Sequence, residues 1–476
     1  MALTATFDLG TTALKCAVLD ENQKLVFSDK EDLTTYTHDG LTEQDPEEWW
    51  SAFCRISSRF DKKNVDSIIF SGQMQDIYFI DGSGMAIGRA SLYTDPCGSE
   101  YVDRLPPYIA EKTSIAVNGT IPVTKFGWYR DHAPEVLEKA QHVLFGAKDY
   151  ILLKLTGRYV SDVTNMSTTG LMDIRTLGYV DTAGIVDKAW LPEILHSDEI
   201  VGKVISSASE ATGFLTSTDV FAGSGDAGAT TLASGISRKG ELNVNLGTTG
   251  WIAAVSDGIY EKAFNLAAIN RGLYINVVPI FNGASVHNWI SRFLFGDDSD
   301  RYTKLHNLLS SDTHANPDLL CLPYLVGERF PVSDTDVRGA YYGFTPETTS
   351  SDMARSSLEG VAFSLKQGLE LMGIKPMSLS LIGGGAAERI WCQIFSNIFN
   401  TEVTVFGNSD ILPSMALSSV VQFGRGKISS YAEYIERILK AQSCTVYTPQ
   451  EECVEHYREL YERFKMLYPS VKGLKH

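Results

Sequence analysis

Two short runs in this 476-residue chain carry the residue types that grip a phosphate chain: Asp8-Leu9-Gly10-Thr11-Thr12 and Asn245-Leu246-Gly247-Thr248-Thr249. In each, glycine lets the backbone approach an anion, and consecutive N–H groups with two threonine hydroxyls can donate to phosphate oxygens. Asp8 adds a carboxylate, a hard oxygen ligand suited to Mg2+, which keeps much of its water shell. Lys15 adds positive charge a few residues on. The second run has Asn245 in place of Asp8, so one turn of the two is metal-facing. Asp226, in Ala222-Gly-Ser-Gly-Asp-Ala-Gly228, stands among residues too small to bury or pair it. Such a carboxylate can accept a hydroxyl proton during phosphoryl transfer, or cap the helix that follows. Gly383-Gly384-Gly385-Ala386 before a helix admits a flat ring or a phosphate, or simply tight helix–strand packing.

The elements that must position these residues repeat. Leu246 follows Leu9 by 237 residues, nearly half the chain, and Ala17, Val18 and Asp20 meet Ala254, Val255 and Asp257 at the same offset. Each run reads as strand, tight turn and returning strand. Val405 to Asp410 echoes Val220 to Asp226 with one residue deleted, and each leads into a small-residue helix. Around these, Asp45 caps a helix from Pro46 to about Phe60, and Val65–Phe70 is a strand running into Ser71-Gly72-Gln73-Met74. Residues 100–205 form a mixed lobe. Asp219–Ala222 and Met377–Ile382 are strands, the latter followed by a helix through Phe399, and Pro449–Pro469 is an amphipathic helix. The duplication implies two domains, 1–238 and 239–476.

Composition narrows the classes. With 44% hydrophobic and 21% charged residues the chain builds ordinary cores. A net charge of −17 argues against nucleic acid as a partner. Seven cysteines without a Cys-x-x-Cys pair fit reduced thiols in a cytoplasmic protein rather than a disulfide framework or zinc site. No apolar run approaches the roughly 18–20 residues of a membrane helix, and no signal peptide is visible at Met1–Gly10. A P-loop is absent, and Gly82 to Gly88 has the wrong spacing for a dinucleotide fingerprint; Asp81-Gly82 reads as a hairpin turn.

In order along the chain, these pieces resemble the FGGY carbohydrate kinases of the actin-like (ribonuclease-H-like) ATPase superfamily. The resemblance includes Leu322-Pro-Tyr-Leu-Val-Gly-Glu-Arg-Phe-Pro331 with Arg338-Gly339, Glu359-Gly-Val-Ala-Phe-Ser364 and Gly383–Ala386. It implies an α/β fold of two duplicated actin-like domains around an interdomain cleft, with ATP and Mg2+ as cofactors. Asp8, Gly10, Thr11 and Thr12 would then form the first phosphate loop, and Gly247, Thr248 and Thr249 the second. Asp8 would lie near Mg2+, Asp226 would be the general base, and Gly384 and Gly385 would lie against adenosine. The sugar would touch Gln73, Met74, Gln75, Asp76 and Asp95. Asp410, the counterpart of Asp226, is the weaker catalytic candidate. Arg329 and Arg338 are also expected to pair with Asp334 and Asp336. The Ser71-Gly-Gln-Met74 and Asp45 to Trp50 segments are most similar to xylulokinases. Gln75-Asp76 stands where those usually have His-Gly, and Tyr93-Thr94-Asp95 where they have Trp-Asn-Asp. A ketopentose such as xylulose is the implied substrate. Glycerol, gluconate or ribulose remains open, as does a nucleotide sensor without turnover. Oligomeric state is not set, a homodimer being open.

Overall fold

Both Leu-Gly-Thr-Thr runs are hairpin turns at the centre of two seven-stranded sheets. The computed structural model describes residues 2–261, 263–311, 314–328, 330–407, 412–440 and 443–474. β1 (Leu3–Leu9) and β2 (Ala13–Asp20) pair antiparallel across the first turn, and β3 (Leu25–Asp32) follows on the outside. α1 (Pro46–Ser57) starts where expected, with the Asp45 carboxylate accepting from the Glu47 N–H, and stops short of Phe60. β4 (Val65–Gly72) runs parallel to β1. The lobe then contributes short elements, among them α2 (Ala147–Thr156) and α3 (Val163–Met166). Its own core includes Phe79, Phe126, Val143 and Met166. β5 (Ile200–Lys203) and β6 (Asp219–Phe221) complete the order β5-β6-β4-β1-β2-β3, the short Ser224–Gly225 stretch also pairing with β4. α4 (Asp226–Ala233) leaves the sheet at once.

The second half repeats this plan. β7 (Glu241–Leu246) and β8 (Gly250–Ser256) flank the second turn, followed by β9 (Phe264–Ala267), β10 (Tyr274–Ile280) and α5 (Ala284–Phe295). α6 (Ser350–Leu371) leads to β11 (Ser378–Ile382), α7 (Arg389–Phe399) and β12 (Val403–Phe406). A 3-10 turn at Gly384–Ala387 separates β11 from α7. Next come α8 (Leu412–Gly424), α9 (Tyr431–Lys440), β13 (Cys444–Tyr447) and α10 (Glu451–Phe464). Read from β13, the order β13-β12-β11-β7-β8-β10 matches the first sheet strand for strand, with β9 as an added edge. The central parallel strands are covered on both faces, which is why β1 and β7 are almost continuously buried instead of alternating.

Two details depart from a simple repeat. Across the first turn Leu9 pairs with Leu14, whereas across the second Leu246 pairs with Gly250. The pairing differs by one residue although the tetrapeptides are identical. Secondly, α8 crosses back from the second half. It packs on α4 and on the face of β1 and β4, where Met415, Leu417 and Val420 meet Leu19, Ile69, Phe221 and Leu232. Each such side chain kept from water contributes about 1.5–3 kcal/mol. Arg425, just past α8, donates to Ser67 Oγ (2.7 Å) and Asp219 (3.0 Å) in the first sheet. The small residues of α4 and α8, noted as a repeat in the sequence, are what let these two helices approach closely.

Asp81 closes the expected hairpin by accepting from the Ser83 and Met85 N–H groups. All seven cysteines are free. Among the described residues, no helix is long and apolar enough to cross a membrane.

Candidate active site

Asp226 is the first residue of α4, reached from β6 through the Ser224–Gly225 stretch that pairs with the end of β4. The helix is entered through Gly225 with no capping side chain, so Asp226 does not serve as the cap. Its carboxylate faces a cavity of about 370 Å3 walled by both halves: Met74, Gln75, Tyr93 and Thr168 from the first, Asn245, Trp251, Phe264 and Leu266 from the second. Its small sequence neighbours leave it half-buried on the cavity wall, while partial loss of water, then the nearby Asp8 carboxylate, push its pKa up to about 7.

Asp8 is the next-to-last residue of β1, opposite Ser71 of β4, whose hydroxyl donates to Asp8 Oδ1 at 2.7 Å. Burial raises the Asp8 pKa, while Ser71 and the cross-strand Lys15 ammonium pull it back. The first turn is braced from behind. Gln44 Nε2 donates to the Thr11 carbonyl (2.6 Å), and Gln44 Oε1 accepts from Trp49 Nε1 and Gln73 Nε2. Thr11, Thr12, Thr248 and Thr249 keep exposure at the turn tips. Gln44 escaped the sequence reading because nothing local distinguishes it from a solvated strand residue.

A second cavity, of about 910 Å3, opens in the second half beside Gly247, Thr248, Gly384 and Gly385. The N-terminal amides of α5 hold the second turn: Ala284 N–H donates to the Gly247 carbonyl (2.7 Å) and Ser285 N–H to that of Thr248 (3.1 Å). A Cβ on Gly283 would lie 2.5 Å from the Gly250 nitrogen, so no other residue fits under this turn. The glycine run divides its roles. Gly383 takes a φ of +87°, a Cβ on Gly384 would meet nothing within 4 Å, and Gly385 packs on Leu246 and Trp391. Three buried polar atoms of this cavity, Ser285 Oγ, His287 Nε2 and Arg301 Nε, have no hydrogen-bond partner among the described residues. His287 also stacks on Tyr302 with ring centroids 5.2 Å apart. His287, Arg301 and Tyr302 were missed because they come together only through the packing of α5 on the following helix.

The remaining expected residues separate. Met74 and Gln75 line the first cavity, Gln75 at a positive φ with its amide donating to the Thr168 carbonyl (3.2 Å). Gln73 is buried behind them. Asp76 is fully buried, neither carboxylate oxygen meeting a well-aligned donor among the described residues, and burial drives its pKa well up despite Lys125 nearby. Asp95 is also fully buried, accepting from Ser91 Oγ, Thr42 N–H and Cys97 N–H; neither Asp76 nor Asp95 lines the cavity. Arg338 does not pair with Asp334 or Asp336: it donates to the Thr335 and Val337 carbonyls, while Asp334 accepts from the Asp336 and Val337 N–H groups. Arg329 and Asp410 lie outside the described residues.

Among the described residues no cluster of three or more His, Cys, Asp and Glu could cage a metal by itself. Asp8, whose charge is near enough to raise the pKa of Asp226, is a carboxylate that a hydrated divalent cation would satisfy. That donor chemistry fits Mg2+ shared with a phosphate chain, and the arrangement as a whole suits phosphoryl transfer between the two cavities.

Comparison with known proteins agrees. The profile for the FGGY family of carbohydrate kinases, N-terminal domain, matches residues 3–233, and that for the C-terminal domain matches residues 242–411. A xylulose kinase of Staphylococcus epidermidis is 28% identical over 489 residues, covering 98% of this chain and 96% of the relative. A gluconokinase of Bacillus subtilis is 27% identical over 489 residues, covering 96% and 94%. The crystal structure of xylulose kinase from Rhodospirillum rubrum superposes with a TM-score of 0.89 at 22% identity, covering 99% of each chain. With the two family profiles together matching most of the chain, including the residues of both cavities, this chain belongs to the FGGY family of carbohydrate kinases, ATP-using phosphotransferases that act on sugars.

Proposed function

We propose that this kinase phosphorylates a neutral ketopentose of the xylulose type, with Asp226 as general base. The observation that carries the reading is the first cavity itself. Asp226 is the one carboxylate among the described residues lining it, and none of those residues is Lys, Arg or His. A sugar acid would bury its carboxylate there without a counter-charge, which is costly, whereas hydroxyl groups find Gln75, Thr168 and Asn245. Xylulose kinases and a gluconokinase are almost equally similar to this chain, so the choice between the two rests on the cavity.

Asp226 accepts the proton of a sugar hydroxyl as that oxygen bonds to the γ-phosphorus and the bond to the β–γ bridging oxygen breaks, releasing ADP. The exposed Thr11, Thr12, Thr248 and Thr249 groups donate to the phosphates from opposite sides. The second cavity takes the adenosine, its orphaned Ser285, His287 and Arg301 atoms supplying partners, with Gly384 leaving room for the ring. Asp8 would hold the Mg2+ that accompanies ATP. That ion neutralises phosphate charge when bound with the nucleotide. Reduced thiols and ATP supply suit the cytosol.

A coupled ADP-release assay over xylulose, ribulose, glycerol and gluconate tests the assignment. Xylulose should give the highest kcat/KM. A higher value with gluconate would reject the neutral-sugar reading, and no ADP with any of the four would reject kinase action on this substrate class.

A further inference from the structure

Beneath the Asp226 turn lies a charged group that the reaction itself does not use. Lys148, at the start of α2, is 1% exposed and sits 2.8 Å from both Asp149 Oδ1 and Asp162 Oδ2, each carboxylate fully buried. Asn165 closes the group, donating through Nδ2 to Asp149 (3.2 Å) and Ser161 (3.0 Å). A buried ion pair of this kind is weak evidence for stability, because desolvation offsets the attraction. Its geometry points elsewhere. The second oxygen of Asp162 accepts from the Thr164 and Asn165 N–H groups, which starts α3, and also from the Gly225 N–H at 3.2 Å. Gly225 is the N-cap of α4 and immediately precedes Asp226.

The other side of α3 reaches the second half of the molecule. Thr164 Oγ1 donates to the Ala267 carbonyl at 2.8 Å, and the Ala267 N–H donates to Ser167 Oγ at 3.1 Å. Ala267 ends β9, whose Phe264 and Leu266 wall the cavity opposite Asp226. One carboxylate thus joins the backbone of the catalytic turn to the strand forming the far wall of the same cavity.

We propose that Asp162, held by Lys148, is a positioning residue that ties the setting of Asp226 to the contact between the two halves. The proposal rests on Asp226 being the general base. When β9 sits against α3, the strap through Thr164, Asp162 and Gly225 fixes the direction in which Asp226 presents its carboxylate. When that contact loosens, the catalytic turn loses one of its anchors.

The test uses the full-length protein and the sugar turned over fastest, with active sites counted by ADP titration. Asp162→Asn keeps the size of the side chain but places an amide against the Lys148 ammonium. It should lower kcat by about 100-fold, as misplacement of a catalytic group does, while KM for sugar and nucleotide stays within about twofold. Thr164→Val cuts the strap without touching a buried charge, and should lower kcat by roughly 2- to 10-fold, again at constant KM. If Asp162→Asn does not fold, Thr164→Val decides alone. Unchanged kcat in the folded variants overturns the proposal, and so does a loss expressed equally in KM and ADP affinity. Asp226→Asn is run in parallel. Near-normal turnover by that variant overturns the general-base reading and this proposal together, whereas an inactive Asp226→Asn beside a normal Asp162→Asn overturns the positioning role only.

Discussion

At the scale of residues, the site works through the contrast between carboxylates in nearly equivalent surroundings. Asp226 is pushed up to about 7 because it has lost water and faces Asp8. A general base must be ionised, so kcat/KM for the sugar should fall as pH drops through about 7 and level off above it. Asp226→Asn should abolish that limb together with roughly 10²- to 10⁴-fold of the turnover, leaving ADP affinity unchanged by calorimetry. Asp8 differs from its counterpart Asn245 by one charge. Asp8→Asn should therefore shift the Mg2+ dependence of both ADP binding and turnover to higher concentration, and Asn245→Ala should shift it far less. Equal shifts would place the ion elsewhere.

Among the elements, α10 shows how a helix far from the cleft is fixed. Tyr457, Leu460, Tyr461 and Phe464 form its buried stripe, and the Tyr457 hydroxyl donates to Glu359 of α6 at 2.7 Å. Burial raises the Glu359 pKa from an ordinary 4.5 to about 7. The folded state thus holds that proton more tightly than the unfolded chain. The stability it confers is complete below pH about 4.5 and is lost as pH rises through about 7, a loss on the order of 3 kcal/mol. Glu359→Gln mimics the protonated form, so it should match wild type in melting temperature near pH 5 and exceed it near pH 8.5. The α10 stripe, the Asp45 cap and both hairpins were legible because each rests on local periodicity or turn chemistry. The one-residue difference in strand register between the turns was not, since identical tetrapeptides carry no information about it. Lys148 and Asp162 were equally hidden. Buried charges look like surface charges until the fold brings their partners together.

For the whole molecule, duplication was visible in the offset of the repeated turns, and the matching strand orders make it architectural. The division at residue 238, drawn from sequence, falls between the strands of the two sheets, and α8 crosses it to cover the first sheet. A chain ending at Ser237 or Arg238 would leave Leu19, Ile69, Phe221 and Leu232 without their cover. We expect residues 1–238 made alone to aggregate, and co-expression with residues 239–476 to restore soluble material. A soluble, cooperatively melting 1–238 fragment would show that α8 is dispensable.

The same crossing sets a timetable on the ribosome. Synthesis proceeds from the N-terminus at about 5–20 residues per second, so roughly 180 residues must be added after residue 238 before α8 is complete. For about 10–40 seconds the first sheet is finished in sequence and unfinished in packing, its apolar face waiting for a helix not yet made. Ribosome-bound chains halted in that interval should therefore expose this face to a holding chaperone, and chains extended past Gly424 should not.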